Sequence, residues 1–463
     1  MFTSTDRALL RAVVFACRGC KRERHHLTVK VVGNEILNDP CEGHVCTPVN
    51  TFQDRANRLM YKTCQKVRSD PLIASKSIPE IWEETLQQTM TGRRGSEELV
   101  AYFYKYGLES RRRTIERARA ANIHSHVTWD YVPRAYAFLE DGSPFLQDIN
   151  EIIQLYYSST TIRMACEKGL HALVMDGMHK ILPSNFGDVQ LYTIHGVLMS
   201  EHEVPLVYAF TRNKTQQTYE RIFSRVQREL QAAGATDPSR IILDFEISAL
   251  KAAERCFPNT SVEGCLFHLS QCWNRKRNAL GITKSLKGPH RSAFVKKWWR
   301  TIKGIPFLPE RFLSRLPGLF RPSMPDTHPA FECCEAFLVY LYDTWLSEPL
   351  RRYWCKWRIG TLRTTNIAEC YHSKFRRSLG QKHASFQNVL ARIKQENVNA
   401  VAKLMTFDQF DIGRHVRRKY SLRKEKISRK MESFERQIQG VVTTSALIRY
   451  CRAMSRFVSE KAI

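Results

Sequence analysis

The chain has 463 residues, 43% of them hydrophobic and 11% aromatic, which excludes a disordered chain and leaves room for two or three domains with a sizeable core. Lys and Arg number 72 against 45 Asp and Glu, a net charge of +27 that points to a polyanionic partner, nucleic acid first, ahead of a merely solubilising surface. No eighteen-residue apolar run occurs, so no membrane span is expected, and the start of the chain carries scattered charges where a secretion signal needs an apolar core. Fourteen cysteines over this length read as free thiols and metal ligands, not as a disulfide scaffold.

In chain order, residues 1–50 form a compact Cys/His-bearing unit. Residues 51–165 read mostly as helix. WEETLQQTM (82–90), SEELVAYFYKYGLESRRRTIERARA (96–120) and SPFLQDINEIIQLYYSSTTIRMACEKG (143–169) space their apolar residues helically, and a Pro-bearing connection precedes the last. From 170 the texture changes to short β-rich runs: LHALVMDGMHKIL (170–182), VQLYTIHGVLM (189–199) and VPLVYAFT (204–211). A Thr-capped helix (215–230), the strand RIILDFE (240–246), a helix (247–257) and a strand opening VEGCLFHLSQCW (262–273) follow. This order predicts an α/β (α+β) fold built on a five-stranded mixed sheet with helices on its faces. Residues 283–330, basic and rich in Pro and Trp, read as an insertion; helical pattern returns at 331–358, and 367–405 reads as one long helix. The basic run 414–430 is a nuclear localisation signal, a phosphate-contacting arm or a solvated helix face. The expected domains are 1–50, 51–165, 166–400 with an insertion at about 275–355, and a basic tail, 401–463.

Asp176 ends the first predicted strand, in LVMDGMHK, and Asp244 the fourth, in IILDFE. In this strand order the two ends can fall side by side on one sheet edge, where carboxylates repel unless a cation neutralises them. Hard oxygen ligands suit Mg2+ or Mn2+, and two such ions about 3.5–4 Å apart clamp the attacking and leaving oxygens of a phosphoryl transfer. Either Asp alone reads as a helix cap or turn acceptor; the pairing in a +27 chain favours metal. Glu369, in RTTNIAECYHSKFRR, lies in the first turn of a predicted helix, where the helix dipole alone accounts for an acid. The sharper reading has this helix deliver Glu369 to the two Asp, with Arg363, Lys374, Arg376 and Arg377 meeting phosphates. Cys265 and His268 form a Cys-x-x-His with Cys272 beyond it; zinc ligation, a buried Cys beside a hydrogen-bonded His, and a contact from His268 to DNA stand as alternatives. In the insertion, Lys296, Lys297, Arg300 and Lys303 are expected to join the phosphate-binding face, and Trp298 and Trp299 either stack on an unpaired base or enter the core.

The blocks MDGMHKILP, QLYTIHG, VPLVYAFTRNKTQQTY, IILDFEISALKA, FPNTSVEGCLFHLSQCW and TTNIAECYH together resemble the transposase domain of Mutator-like elements, the MULE group of the DDE superfamily. The resemblance implies a ribonuclease-H-like core with a helical insertion between Asp244 and Glu369. It also implies Asp176, Asp244 and Glu369 as a catalytic acidic triad holding two Mg2+ or Mn2+ ions, and it matches Cys265 and His268 to the family's Cys-x-x-His. ACRGCKRERHH followed by CEGHVC resembles a FLYWCH-type zinc finger of the WRKY-GCM class. His44 and Cys46 match its last ligand pair, and Cys17, Cys20 and His25 or His26 stand at the first; a small β unit of reduced cysteines without metal is the alternative. The expected function is a DNA transposase that cleaves and joins strands, with transposon-end DNA and a second copy of the chain as partners, in the nucleus. The alternatives are a domesticated, transposase-derived DNA-binding protein or transcriptional regulator without catalysis and, less favoured, a nuclease that does not transpose.

Overall fold

Runs of β-branched and aromatic residues between turn formers become strands, and spaced apolar residues become helices, in two compact units, Met1–Ser125 and His126–Ile463. The structure is a computed structural model describing residues 13–460 apart from 71–72, 75, 91–95, 106, 123–126, 200–201, 380–383 and 410–417.

The first unit opens with an antiparallel meander, β1 (Val13–Ala16), β2 (Thr28–Val32) and β3 (Glu35–Ile36), with the short helix α1 (Arg18–Arg22) between β1 and β2. Helices α2 (Thr51–Ser69), α3 (Ile78–Met90), α4 (Ser96–Tyr104) and α5 (Gly107–Ala120) follow and share a core around Met60, Val67, Trp82, Phe103 and Ile115. Asn50 starts α2 by accepting the N–H groups of Phe52 and Gln53.

The second unit is built on a seven-stranded mixed sheet, not the five-stranded one expected. The strands are β4 (Leu146–Ile149), β5 (Ile153–Tyr157), β6 (Leu170–Met178), β7 (Gln190–Leu198), β8 (Glu203–Thr211), β9 (Arg240–Leu243) and β10 (Ser261–Gly264), in the order β10-β9-β6-β7-β8-β5-β4. The five predicted strands are β6–β10. The two extra come from 143–169, expected to be helix, of which only α6 (Ser159–Glu167) is helical. Every residue of β5 is buried, and a strand covered on both faces has no alternation to distinguish it from a buried helix. Pro205 is tolerated within β8 because the β7–β8 register shifts at that point.

Helices α7 (Gln216–Ala232, capped by Thr215), α8 (Ile247–Cys256) and α9 (Leu266–Ala279) follow, and their buried residues join one large core with the sheet. The insertion adds α10 (Ala293–Gly304) and α11 (Phe331–Tyr340) to the same core. Trp298 and Trp299 are buried there, Trp298 donating to the Gly318 carbonyl at 2.9 Å, so the pair is core and offers no stacking face. Lys303 is buried as well, its ammonium on Glu460, and is no part of an exposed basic face. The predicted single helix over 367–405 is two, α12 (Asn366–Leu379) and α13 (Phe386–Gln409). Of the basic run, 414–417 lies outside the described residues. The remainder opens α14 (Arg418–Gln437), which buries Ile427, Met431 and Phe434; Phe434 stacks at 3.8 Å on Tyr450 of α15 (Thr444–Met454). Among the described residues no helix is long and apolar enough to cross a membrane.

Three strands position the site. β6, β9 and β10 run parallel, with Val174 opposite Ile242 and Leu243 opposite Gly264. Two residues beyond that first pair, both chains reach aspartate, Asp176 and Asp244. Behind them lies a buried charge cluster: Arg240 contacts Glu263 at 2.6 Å, and the wholly buried Lys356 meets the same carboxylate at 2.9 Å. Removing one member of a buried ion pair typically costs about 3–5 kcal/mol, because its partner is left charged and unpaired. Glu263→Ala is therefore expected to lower unfolding stability by roughly that amount in a urea titration. Adding Lys356→Met should restore most of the loss, and an unchanged midpoint in the single variant would show that the cluster fastens nothing.

Candidate functional site

Asp176 and Asp244 line one small cavity of about 60 Å3, shared with Gln190, Tyr192, Lys214 and Glu246. Glu246, which sequence reasoning passed over, is a further carboxylate on this edge; burial pushes its carboxyl up, and the Tyr219 hydroxyl donates to it at 3.0 Å. The signal was available, two residues past Asp244 in the same acidic strand end.

Glu369 reaches the edge from the first turn of α12, and the chain leading to it is fastened to the strand ends at four points. The Arg240 guanidinium donates to the carbonyls of Thr361 (3.0 Å) and Leu362 (3.1 Å). The Leu266 N–H donates to the Arg363 carbonyl at 2.9 Å. The N–H and hydroxyl of Thr365 both donate to Cys265 Sγ, at 3.2 and 3.3 Å. Cys265 itself continues the parallel pairing through its N–H to the Leu243 carbonyl. Gly264 is required just before it, since an added Cβ would sit 2.2 Å from the Phe245 ring.

Two histidines stand between the carboxylates. His268 Nδ1 lies 3.3 Å from Asp244 Oδ1 and its Nε2 3.6 Å from Glu369 Oε1. Burial opposes charge on this imidazole, but the hydrogen bond and charge of Cys265, with Asp244 and Asp176, outweigh it and push His268 up to about 10. His372, one helical turn after Glu369, places Nδ1 3.4 Å from Asp176 Oδ2 and Nε2 2.8 Å from Thr193 Oγ1. Thr193 and His372 were not foreseen; the only trace in the sequence is the Glu-x-x-His spacing that puts 369 and 372 on one helix face.

The donor set fits a hard divalent ion. Glu369 Oε1 is buried with no hydrogen-bond partner among the described residues, burial raises its carboxyl, and Asp176 and Asp244 follow the level pair Val174–Ile242 of neighbouring parallel strands. Their oxygens do not all lie within 4.8 Å of one another; the group that does is Cys265, His268 and Glu369. Cys272 is not among them. Of the predicted phosphate contacts, Lys374, Arg376 and Arg377 are exposed on α12, and both arginines line a cavity of about 450 Å3 beside Glu369. Lys296 and Lys297 are exposed and Arg300 half-buried on α10, while the Arg363 guanidinium turns back onto the Ile359 and Gly360 carbonyls.

In the first unit Cys17, Cys20, His44 and Cys46 converge. Cys17 Sγ lies 3.6 Å from Cys46 Sγ, and Cys20 Sγ lies 3.4 Å from His44 Nδ1 and 3.5 Å from Cys46 Sγ. These separations approach the edges of a zinc tetrahedron, about 3.7 Å for Zn–S bonds of about 2.3 Å. His44 Nε2 sits 3.0 Å from the Pro40 carbonyl, which fixes the tautomer that frees Nδ1 for metal. Gly19 lets the knuckle close, an added Cβ there falling 2.6 Å from Cys46 Sγ. Among the described residues of 13–50, Cys20 is the only buried apolar side chain, so a metal would supply the core that this unit lacks. His25 is exposed and outside the cluster.

Residues 172–272 match the profile of the MULE transposase domain. The matched stretch holds Asp176, Asp244, Cys265 and His268, and it ends before the insertion and Glu369. No curated protein matches the chain. The match points to a transposase-like protein that binds DNA.

The chain as purified is expected to hold about one zinc by atomic absorption. Cys46→Ser should lose it and open residues 13–50 to protease, whereas His25→Ala should keep both. Full zinc content in Cys46→Ser would remove this cluster as the ligand set.

Proposed function

We propose that the protein is a DNA transposase of the Mutator-like class, with a ribonuclease-H-like domain over 166–400 and Asp176, Asp244 and Glu369 as ligands of two Mg2+ or Mn2+ ions. The observation that carries this reading is the level placement of the two aspartates at the ends of neighbouring parallel strands, with Glu369 fastened to the same edge. When bound, such ions polarise the scissile phosphate and ready a water or a 3′-hydroxyl for in-line attack. The chain's own groups do the rest. The strap from Thr361 to Thr365 holds Glu369 in register with the strand ends. His372 and Thr193 orient Asp176, and the exposed Lys374, Arg376 and Arg377, with Lys296, Lys297 and Arg300 on the insertion, grip the phosphates that flank the cut. A FLYWCH-type finger at the N-terminus would add a further DNA contact. The setting we propose is a homodimer on transposon ends in the nucleus, with the basic segment in 401–463 as the import signal.

One observation favours the second reading, a domesticated DNA-binding regulator. His268 lies between Asp244 and Glu369, and its neighbours Cys265, Asp244 and Asp176 favour its protonated form. An imidazolium between two carboxylates offsets one of their charges and so lessens the need for metal.

The two readings separate on plasmid nicking and end joining in Mg2+ and Mn2+, with a gel shift on the same protein. Glu369→Gln, Asp176→Asn and Asp244→Asn should each abolish cleavage to the same degree, since ligands of one ion cluster act as a unit. Gel-shift affinity should hold or rise slightly in each variant, as a negative charge leaves the phosphate path. Its logarithm should fall linearly with log salt, by roughly 0.9 per phosphate contacted. Binding without metal-dependent cleavage in the unmutated chain would give the case to the regulator.

A further inference from the structure

The cavity beside Glu369 measures about 450 Å3, within the roughly 300–1,000 Å3 typical of pockets that take one small molecule. Beside His268, Glu369 and His372 of the site already described, and Ser373 of α12, its walls carry three further kinds of group. Phe267 contributes a half-buried ring from the first turn of α9. Arg376 and Arg377 reach in from α12, Arg376 held by a 3.0 Å bond to the His179 carbonyl. Gln271, one turn along α9 from Phe267, is only 7% exposed and lines the same cavity. Its carboxamide carries two donors and one acceptor for whatever enters. A duplex backbone lying across the opening would use the arginines alone and leave both Phe267 and Gln271 idle.

We propose that this cavity is a subsite for one unpaired DNA base, stacked on Phe267 and read by Gln271, with Arg376 and Arg377 on its flanking phosphates. Stacking on an aromatic ring serves any base, because every base has a π-face. The carboxamide adds a choice: its acceptor and donor match N6 and N7 of adenine in a bidentate pair, a match no other base offers on that edge. A base held with its N6/N7 edge toward Gln271 is thus selected as adenine. This inference rests on the reading of the protein as one that acts on DNA, but it does not require that the protein cleave.

The test measures binding of the full chain in EDTA, which keeps the DNA intact. The probes are a short blunt duplex and the same duplex with a 3′ overhang of dA, dC, dG or dT. Each overhang should bind more tightly than the blunt end, and dA more tightly than the other three by roughly tenfold. Gln271→Ala should bring the dA overhang level with the others. Phe267→Leu, which keeps the apolar volume, should shrink the gain of every overhang over the blunt duplex. Overhangs that add nothing, or an adenine preference that survives Gln271→Ala, would overturn the subsite. The blunt duplex distinguishes this from a wider failure: if it too goes unbound, the DNA-acting reading itself falls, and if it binds while the overhangs add nothing, only the subsite does.

Discussion

A carboxylate that belongs beside Asp176 and Asp244 but lies beyond a long insertion has to be carried back and held, and the rest of the site depends on how that is done. Arg240 does most of it. It begins β9, the strand that leads into Asp244, and its guanidinium is shared between Glu263 and the carbonyls of Thr361 and Leu362. One rigid strand therefore sets both the second aspartate and the approach to the glutamate. Cys265 completes the hold by accepting two hydrogen bonds from Thr365, 100 residues further along the chain. The buried Lys356 meets the same Glu263 carboxylate at 2.9 Å and ties the anchor into the core.

With the backbone so fixed, the electrostatics follow. Three helices begin at or beside this edge: α8 three residues after Asp244, α9 directly after β10, and α12 with Glu369 in its first turn. Helix N-termini favour anions, each by about 0.3–1 kcal/mol, so backbone dipoles offset part of the repulsion among the carboxylates. His268, between Asp244 and Glu369, offsets more, and His372 packs its Nδ1 against Asp176. The same arrangement serves a site waiting for divalent ions and one that has settled without them, which is why strand cleavage, not geometry, divides the two functional readings.

Much of this was legible in the sequence, for reasons that vary by element. β6 to β10 could be read because each is a short apolar run closed by turn residues, and the two aspartates stand out because each interrupts such a run at its end. β5 could not, because IQLYY is buried throughout and carries no alternation, and β4 is only four residues long. Four zinc-type ligands were readable from close Cys and His spacing, whereas the exclusion of His25 depends on which way a turn carries it. Lys303 misled because a basic, Trp-rich stretch reads as surface until the insertion is seen to fold into the common core, where the tryptophan pair takes the second of its two expected places. Thr193 and Gln271 were beyond reach: each acquires its meaning only from a neighbour brought in by another strand or helix.

The strap has a consequence for how such a chain can change over time. Both ends of the insertion are tied at fixed places, the start of α9 following β10 and the return at Thr361 to Thr365, so its length does not enter the geometry of the carboxylates. Closing a longer loop between tied ends costs little, about 0.6 kcal/mol for each doubling. The segment between can lengthen, shorten or exchange its helices while the three acids stay where they are, provided it still covers the apolar face it now packs on. That makes it the natural place for related chains to diverge in the DNA they hold, with the chemistry left untouched.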